Sequence, residues 1–371
     1  MSADSRQPLV DGAPAAGEAD AVLRKTSGRQ YFRDAAAALA AKPDAVQEGV
    51  LAELLGRHYG LHGAIKALSS EIEHTASVVL ADGRQLIFKT SSHPGALESF
   101  GFQACVLAAL VGAQGFGAPH VQRTTSGALL FKQGHCCGYL QTRVGGSSLH
   151  ETAPAPDVLF RAGQALARLD LALASLDAVP SMLRPVLWQV GCWPALVEFE
   201  RYLPPGGIAD AVRLALKNYE EVIEPQLRDV AWQLVHNDPS PFNTFVDKTG
   251  VAFIDFGDGC WGPRIQDLAI AASHFVRDPE RELGGAQDLI AGYASVLPLS
   301  RIEARLLVGL MKARQSALIL INYWRAHLFP ADAAYIKKSV ARAERGLAIL
   351  NSLSEQAQQA AVRAAISVER R

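Results

Sequence analysis

The most constraining stretch of the chain runs from Trp232 to Asp258, WQLVHNDPSPFNTFVDKTGVAFIDFGD. Two short apolar runs, Trp232 to Val235 and Thr244 to Val246, and a longer one from Val251 to Phe256 predict three strands. Between the last two, Asp247-Lys248-Thr249-Gly250 is polar and ends in glycine, which predicts a hairpin turn. A hairpin centred near Thr249 places Asn243 opposite Asp255, and Asp238 sits on the short loop leading into it. Three oxygen-bearing side chains then face one point. Turn chemistry beside Pro239 and Pro241 also suits Asp238 and Asn243 singly, but it does not call for an apolar strand on each side of every polar group.

An amide and a carboxylate converging on open space suit a hard cation such as Mg2+, which takes few protein ligands and completes its octahedron with water and phosphate oxygens. Phosphoryl transfer asks for that metal and for a carboxylate that receives the acceptor hydroxyl. The order His236-x-Asp238-x-x-x-x-Asn243, followed by Asp255-Phe256-Gly257, has the catalytic-loop and metal-loop grammar of the protein-kinase superfamily. Asp238 is the expected base and His236 its buttress in the catalytic loop; Asn243 and Asp255 are the expected metal ligands. Asp258, just beyond, suits a second metal, a cationic acceptor or a solvated turn.

HNDPSPFN, IDFGD and the following PRIQDLAIA (Pro263 to Ala271) resemble the aminoglycoside phosphotransferase and choline kinase family, and within it the hydroxylysine kinase branch. The likeness extends from about Asp44 onward, more loosely outside the hairpin. It implies an α+β, bilobal protein-kinase-like fold with a small β-rich N-lobe and a larger, mainly helical C-lobe. It also implies ATP or GTP with Mg2+, and a small hydroxylated amine or amino acid as acceptor. A nucleotide-binding pseudokinase module and an aminoglycoside phosphotransferase are the rival readings. Asn237 replaces the glycine usual at its position in the family; asparagine tolerates left-handed backbone, so the loop need not be broken.

Composition agrees with a two-lobed kinase. A chain of 371 residues buries a substantial core, and 36 basic against 37 acidic residues leave no field to draw it to nucleic acid or an anionic membrane. Five irregularly spaced cysteines point to thiols in a reducing compartment, and no apolar run approaches a membrane span. A cytoplasmic protein is expected. His135-Cys136-Cys137 lacks metal-ligand spacing.

Residues 1–43 read as a mobile tail to about Asp20 followed by a short alanine-rich helix, residues 44–144 as the N-lobe and 145–371 as the C-lobe. Ala45 to His58 is a helix closed by Gly60. Lys89 ends the strand Gln85 to Thr90 in the register of the lysine that contacts nucleotide phosphates. The loop over those phosphates, Ser69 to Ala76, lacks glycine, which leaves Ser69, Ser70 and Thr75 as donors. On the helix Glu98 to Val111, Gln103 is the expected partner of Lys89, with Glu98 as the alternative. Tyr139 to Gly145 falls at the inter-lobe hinge. Asp267 opens a helix that braces the catalytic loop. On the long stretch Ser300 to Arg325, Gln315, Tyr323 and Trp324 either line the acceptor pocket or pack in the core.

Overall fold

The computed structural model describes residues 16–41, 46–68, 70, 73–152, 154–176 and 179–367. Two helices come first, α1 (Ala16–Thr26) and α2 (Arg29–Ala40), so the residues from Ala16 to Asp20, expected in the tail, already belong to a helix. The remainder of that tail lies outside the described residues. Helix α3 (Glu48–Tyr59) stops at Gly60, whose φ of 64° is the left-handed turn that glycine makes without strain.

An antiparallel sheet follows, built from β1 (Gly63–Leu68), β2 (His74–Leu80), β3 (Gln85–Ser91), β4 (Val121–Gln122), β5 (Phe131–Gln133) and β6 (Cys136–Thr142). Its order is β1-β2-β3-β6-β4, with β5 also pairing with β6. Leu51, Leu54, Leu55 and Tyr59 of α3 recur at helical spacing and pack with Val78, Phe88 and Leu140 in a core of their own. Helix α4 (Ala96–Ala109) lies between β3 and β4 in the chain, and its buried Phe100 meets Tyr139 of β6 edge-on at 5.4 Å.

Beyond the two-residue β7 (Ser147–Ser148) the chain is mainly helical: α5 (Pro156–Ala174), α6 (Gly207–Asn218), α7 (Ile265–Ser273), α8 (Gln287–Ala294), α9 (Arg301–Leu328), α10 (Ala333–Ile336), α11 (Val340–Ser352) and α12 (Glu355–Ile366). Helices α5 and α8 pack backbone to backbone: a Cβ at Gly163 would strike the Leu289 carbonyl, and one at Gly292 the Phe160 carbonyl. Between α6 and α7 run β8 (Trp232–Val235), β9 (Thr244–Val246), β10 (Val251–Phe253) and β11 (Cys260–Pro263). Strand β9 pairs with β10 and β7, while β8 pairs with β11, and all pairings are antiparallel. The fold is α+β and kinase-like, and a cavity of about 570 Å³ is lined by both the sheet and the helical part.

Candidate active site

Strand β8 runs into His236, Asn237 and Asp238, of which Asp238 lines the cavity and the other two are buried behind it. Asn237 takes the left-handed conformation, with φ 65°. The tight turn is held from below by Asp267 in the first turn of α7, whose two oxygens accept the His236 and Asn237 amides at 2.7 Å each. Burial lifts the Asp267 carboxyl to about 6 against the pull of those amides. The adjacent Asp170 is pushed well above the carboxylate range, first by burial and then by the Asp267 charge.

His236 is buried behind the loop. The Asp238 amide donates to its Nδ1 at 3.2 Å, and its Nε2 donates to the Ile254 carbonyl at 3.0 Å. Burial lowers its pKa to about 4, so the ring is neutral and both nitrogens are engaged. That is the geometry of a buttress joining the catalytic loop to the metal loop.

Asp238 faces the cavity with 22% of its side chain exposed. Its Oδ1 accepts Arg314 Nη2 at 3.1 Å; its Oδ2 accepts Asn243 Nδ2 at 2.7 Å and the Ser240 hydroxyl at 3.3 Å. Burial raises its pKa, Arg314 opposes, Asp258 and Asp255 add to the rise, and the result is about 7. A carboxyl poised there accepts a proton near neutrality.

The hairpin is centred half a residue earlier than expected. Thr244 pairs with Phe253, and the Ile254 amide donates to the Asn243 carbonyl at 2.9 Å, so Asn243 stands opposite Ile254 and not Asp255. Simple alternation would turn Asp255 away from Asn243. Asp255 escapes it by leaving the strand with φ 63° and ψ 74°, and both residues line the cavity. Asn243 uses its Nδ2 on the Asp238 carbonyl and carboxylate, which leaves its Oδ1 for a cation. The Lys89 charge holds the Asp255 carboxyl low against burial. Among the described residues no three His, Cys, Asp or Glu side chains cluster as a metal cage. Two protein oxygens with room beside them fit Mg2+, which draws its remaining ligands from water and phosphate.

Lys89, 5% exposed on β3, meets three oxygens: Glu73 Oε1 at 2.6 Å, Asp255 Oδ1 at 3.0 Å and Gln103 Oε1 at 3.4 Å. Burial alone would lower its pKa, but Asp255 and Glu73 raise it well above the usual value, so it stays charged. Gln103 therefore reaches Lys89 as expected, yet the charge comes from Asp255 and Glu73; the field of Glu98 falls on Arg184 instead. Gln103 also accepts the Tyr139 hydroxyl at 2.8 Å. Ser70 and Thr75 line the cavity, Thr75 as a strand residue opposite Lys89 because β2 begins at His74. Ser69 lies outside the described residues. Where the hinge is expected, the Thr142 and Arg143 amides already donate to the His120 and Gln85 carbonyls.

Gln315, Tyr323 and Trp324 do not line the cavity. Gln315 donates to the Ser273 carbonyl at 3.1 Å, the Tyr323 hydroxyl to Glu344 at 3.3 Å, and Trp324 stacks on Phe199 at 4.4 Å. The lining stripe of α9 is Arg314, Leu318 and Asn322, spaced four apart. Neither Arg314 nor Glu73 stands out in the sequence: the first lies one position from the stripe read off it, and the second is one of several acids and hydroxyls in a loop without glycine.

The family model of the phosphotransferase enzyme family, APH, matches residues 64–299, more than half of the chain and all of the loops just described. The chain belongs to this family. Among curated proteins it is similar to the APH relatives hydroxylysine kinase of Xenopus laevis, 22% identical over 59% of this chain and 62% of the relative, and homoserine kinase of Gluconobacter oxydans (strain 621H), 33% identical over 47% and 56%. The chain thus spans about three fifths of the length of the curated relatives it matches. Among solved structures, an amicoumacin kinase bound to AMP-PNP, Ca2+ and its antibiotic shares the fold with a TM-score of 0.62 at 13% identity, over 84% of this chain and 95% of that one. A microcompartment-associated aminopropanol kinase does so at 0.56 and 18%, over 82% and 97%. No helix among the described residues is long and apolar enough to cross a membrane.

Proposed function

We propose that this APH-family protein transfers the terminal phosphoryl group of ATP or GTP to the hydroxyl of a small amino alcohol or hydroxy amino acid. The observation that carries this reading is the Asp238 carboxylate, held at the cavity floor between Arg314 and Asn243 with a pKa near 7, beside Lys89 and Asp255. Asn243 and Asp255 would hold Mg2+, which supplies neutralisation of the phosphate charge when bound. Lys89 draws on the phosphates, aimed by Glu73 and Gln103. The acceptor oxygen bonds to the γ-phosphorus as the bond to the β-γ bridging oxygen breaks, the hydroxyl proton passes to Asp238, and the nucleoside diphosphate leaves. Arg314 keeps Asp238 pointed at that hydroxyl. Hydroxylysine and homoserine, after which the similar kinases are named, are the first acceptors to test.

A phosphoryl-transfer screen with Mg·ATP and Mg·GTP against hydroxylysine, homoserine, ethanolamine, choline and aminoglycosides tests the reading. Asp238→Ala is expected to lower turnover by roughly 10²- to 10⁴-fold while retaining nucleotide affinity. Absence of transfer to every acceptor, or equal rates for wild type and variant, overturns it.

A further inference from the structure

The helical wall of the cavity carries donors that have no partner among the described residues. Arg314 is 3% exposed, gives Nη2 to Asp238 and lays its guanidinium over the Trp188 ring at 4.3 Å. Its Nε and Nη1 have no hydrogen-bond partner among the described residues. His274, 5% exposed, lines the same wall. Its Nδ1 accepts Arg342 Nη2 at 3.0 Å, which leaves the ring proton on Nε2, and Nε2 likewise has no partner among the described residues. Native structures rarely leave buried N–H groups unanswered unless a ligand or water takes them.

Two further cations stand on this wall, in a cavity that Asp238 and Asp258 also line. Lys338 lines the cavity with its ammonium 3.9 Å from the Tyr335 ring and 4.7 Å from the Phe242 ring, and Arg342 lies behind it, 5.7 Å from Phe242. Neither Lys338 nor Arg342 makes an ion pair among the described residues, whereas Arg264, Arg281 and Arg314 each have a carboxylate. A site for a polycationic or simple amine acceptor would present the opposite sign.

We infer that Arg314, His274, Lys338 and Arg342 form a subsite for an acceptor carboxylate, so that the substrates are hydroxy acids or hydroxy amino acids rather than amino alcohols or aminoglycosides. A carboxylate has two oxygens and about four lone-pair directions, enough for a guanidinium edge and an imidazole N–H together. The nucleotide phosphates already have Lys89 on the sheet side, so the cationic wall beyond Asp238 is left to the acceptor. Anchoring the carboxylate there aims the hydroxyl end of a short chain at Asp238.

This inference rests on the phosphotransfer reading, and paired probes separate the two. Homoserine and 3-aminopropan-1-ol differ only in the carboxylate. With the protein and Mg·ATP or Mg·GTP, homoserine or hydroxylysine is expected to exceed its decarboxylated counterpart by more than roughly 100-fold in kcat/KM, since a site built for a polar group rejects the analogue that lacks it by up to about 10⁴- to 10⁵-fold. Lys338→Met and Arg342→Met are each expected to raise KM for the carboxylate acceptor about tenfold without raising KM for the nucleotide. Equal use of the decarboxylated analogue, or an unchanged acceptor KM in both variants, overturns the subsite. If no compound is phosphorylated, the phosphotransfer reading fails, and calorimetry then decides the subsite: homoserine, hydroxylysine or glycerate binding in preference to 3-aminopropan-1-ol supports it, and no such preference refutes it.

Discussion

Lys89 sits at the meeting point of three oxygens, and the nearest one arrives from the loop before β2 rather than from α4. Gln103 occupies the helical position but brings no charge, so the ammonium is steadied by Asp255 and by Glu73, the latter 17% exposed in the side chain. Hydrogen bonds to charged groups contribute about 1.5–3 kcal/mol. Glu73→Gln should therefore lower kcat/KM for the nucleotide by roughly 10- to 100-fold, and adding Gln103→Glu should recover part of the loss. Steady-state kinetics that leave the single variant at the wild-type value would remove Glu73 from the site. Asp238 yields a second prediction. Its pKa is raised, so the proton is lost only near pH 7; below that the carboxyl is protonated and cannot act as base. The kcat/KM profile should rise with pH through about 7, and Arg314→Met should displace that limb upward by removing the opposing cation; a limb near the ordinary carboxylate value would contradict the assignment. At this scale the hairpin was legible because its chemistry is consecutive in sequence. Asn237 fits its left-handed backbone and Asp267 its bracing role. Glu73 was not legible, because its partner lies on another strand and the loop between them has no distinguishing spacing.

Helix α9 shows where periodicity stops being informative. It begins with a capping box, in which Ser300 accepts the Glu303 amide and Glu303 accepts the Ser300 amide. For 28 residues it is then buried on nearly every side, by α7, α11 and the 3-10 stretch that carries Phe199. A helix buried almost all round, polar residues such as Arg314, Gln315 and Arg325 included, does not reveal in sequence which stripe meets a cavity. Gln315, Tyr323 and Trp324 take the packing role of the two read for them, and the four-residue spacing of Arg314, Leu318 and Asn322 marks the stripe that lines the cavity. Helix α6 ends at Asn218; a π turn and a 3-10 turn with Pro225 carry the chain on, since proline cannot donate within a helix. The position of α9 is fixed at its start by a bidentate pair, Arg264 Nε to Glu303 Oε1 at 2.6 Å and Nη2 to Oε2 at 2.7 Å. Glu303 is 1% exposed in the side chain and Arg264 16%, so loss of one partner strands a buried charge. Glu303→Ala should cost about 3–5 kcal/mol in urea denaturation, and because Arg264 adjoins α7 and its Asp267, activity should fall as well. A stability loss under about 1 kcal/mol would place the pair among surface salt bridges instead.

Across the whole molecule, the N-terminal helices are packed into the catalytic half. Composition gave no sign of this, because an alanine-rich helix has few side chains from which to infer a partner. Phe32 of α2 packs on Phe199 at 5.6 Å, and Leu39 lines the cavity. The Tyr31 hydroxyl donates to the Arg184 carbonyl at 2.7 Å and accepts the Val186 amide at 3.1 Å. Arg184 in turn donates to the Gly257 and Gly259 carbonyls, the latter at 2.8 Å, and lies over the Phe102 ring of α4 at 3.9 Å. One buried hydroxyl thus sets the segment that holds the metal loop against the helix behind Lys89. Tyr31→Phe keeps the ring and removes both hydrogen bonds, leaving a buried carbonyl and a buried amide without partners at a cost of about 1–3 kcal/mol. The local consequence is more telling than the global one. If α2 steadies the metal loop through Arg184, the Gly257 to Cys260 amides should lose hydrogen-exchange protection in Tyr31→Phe beyond the change in overall stability, while amides of β2 and β3 do not. Uniform loss across both regions would mean that Tyr31 contributes only to packing, and that α1 and α2 cover the catalytic half without governing it.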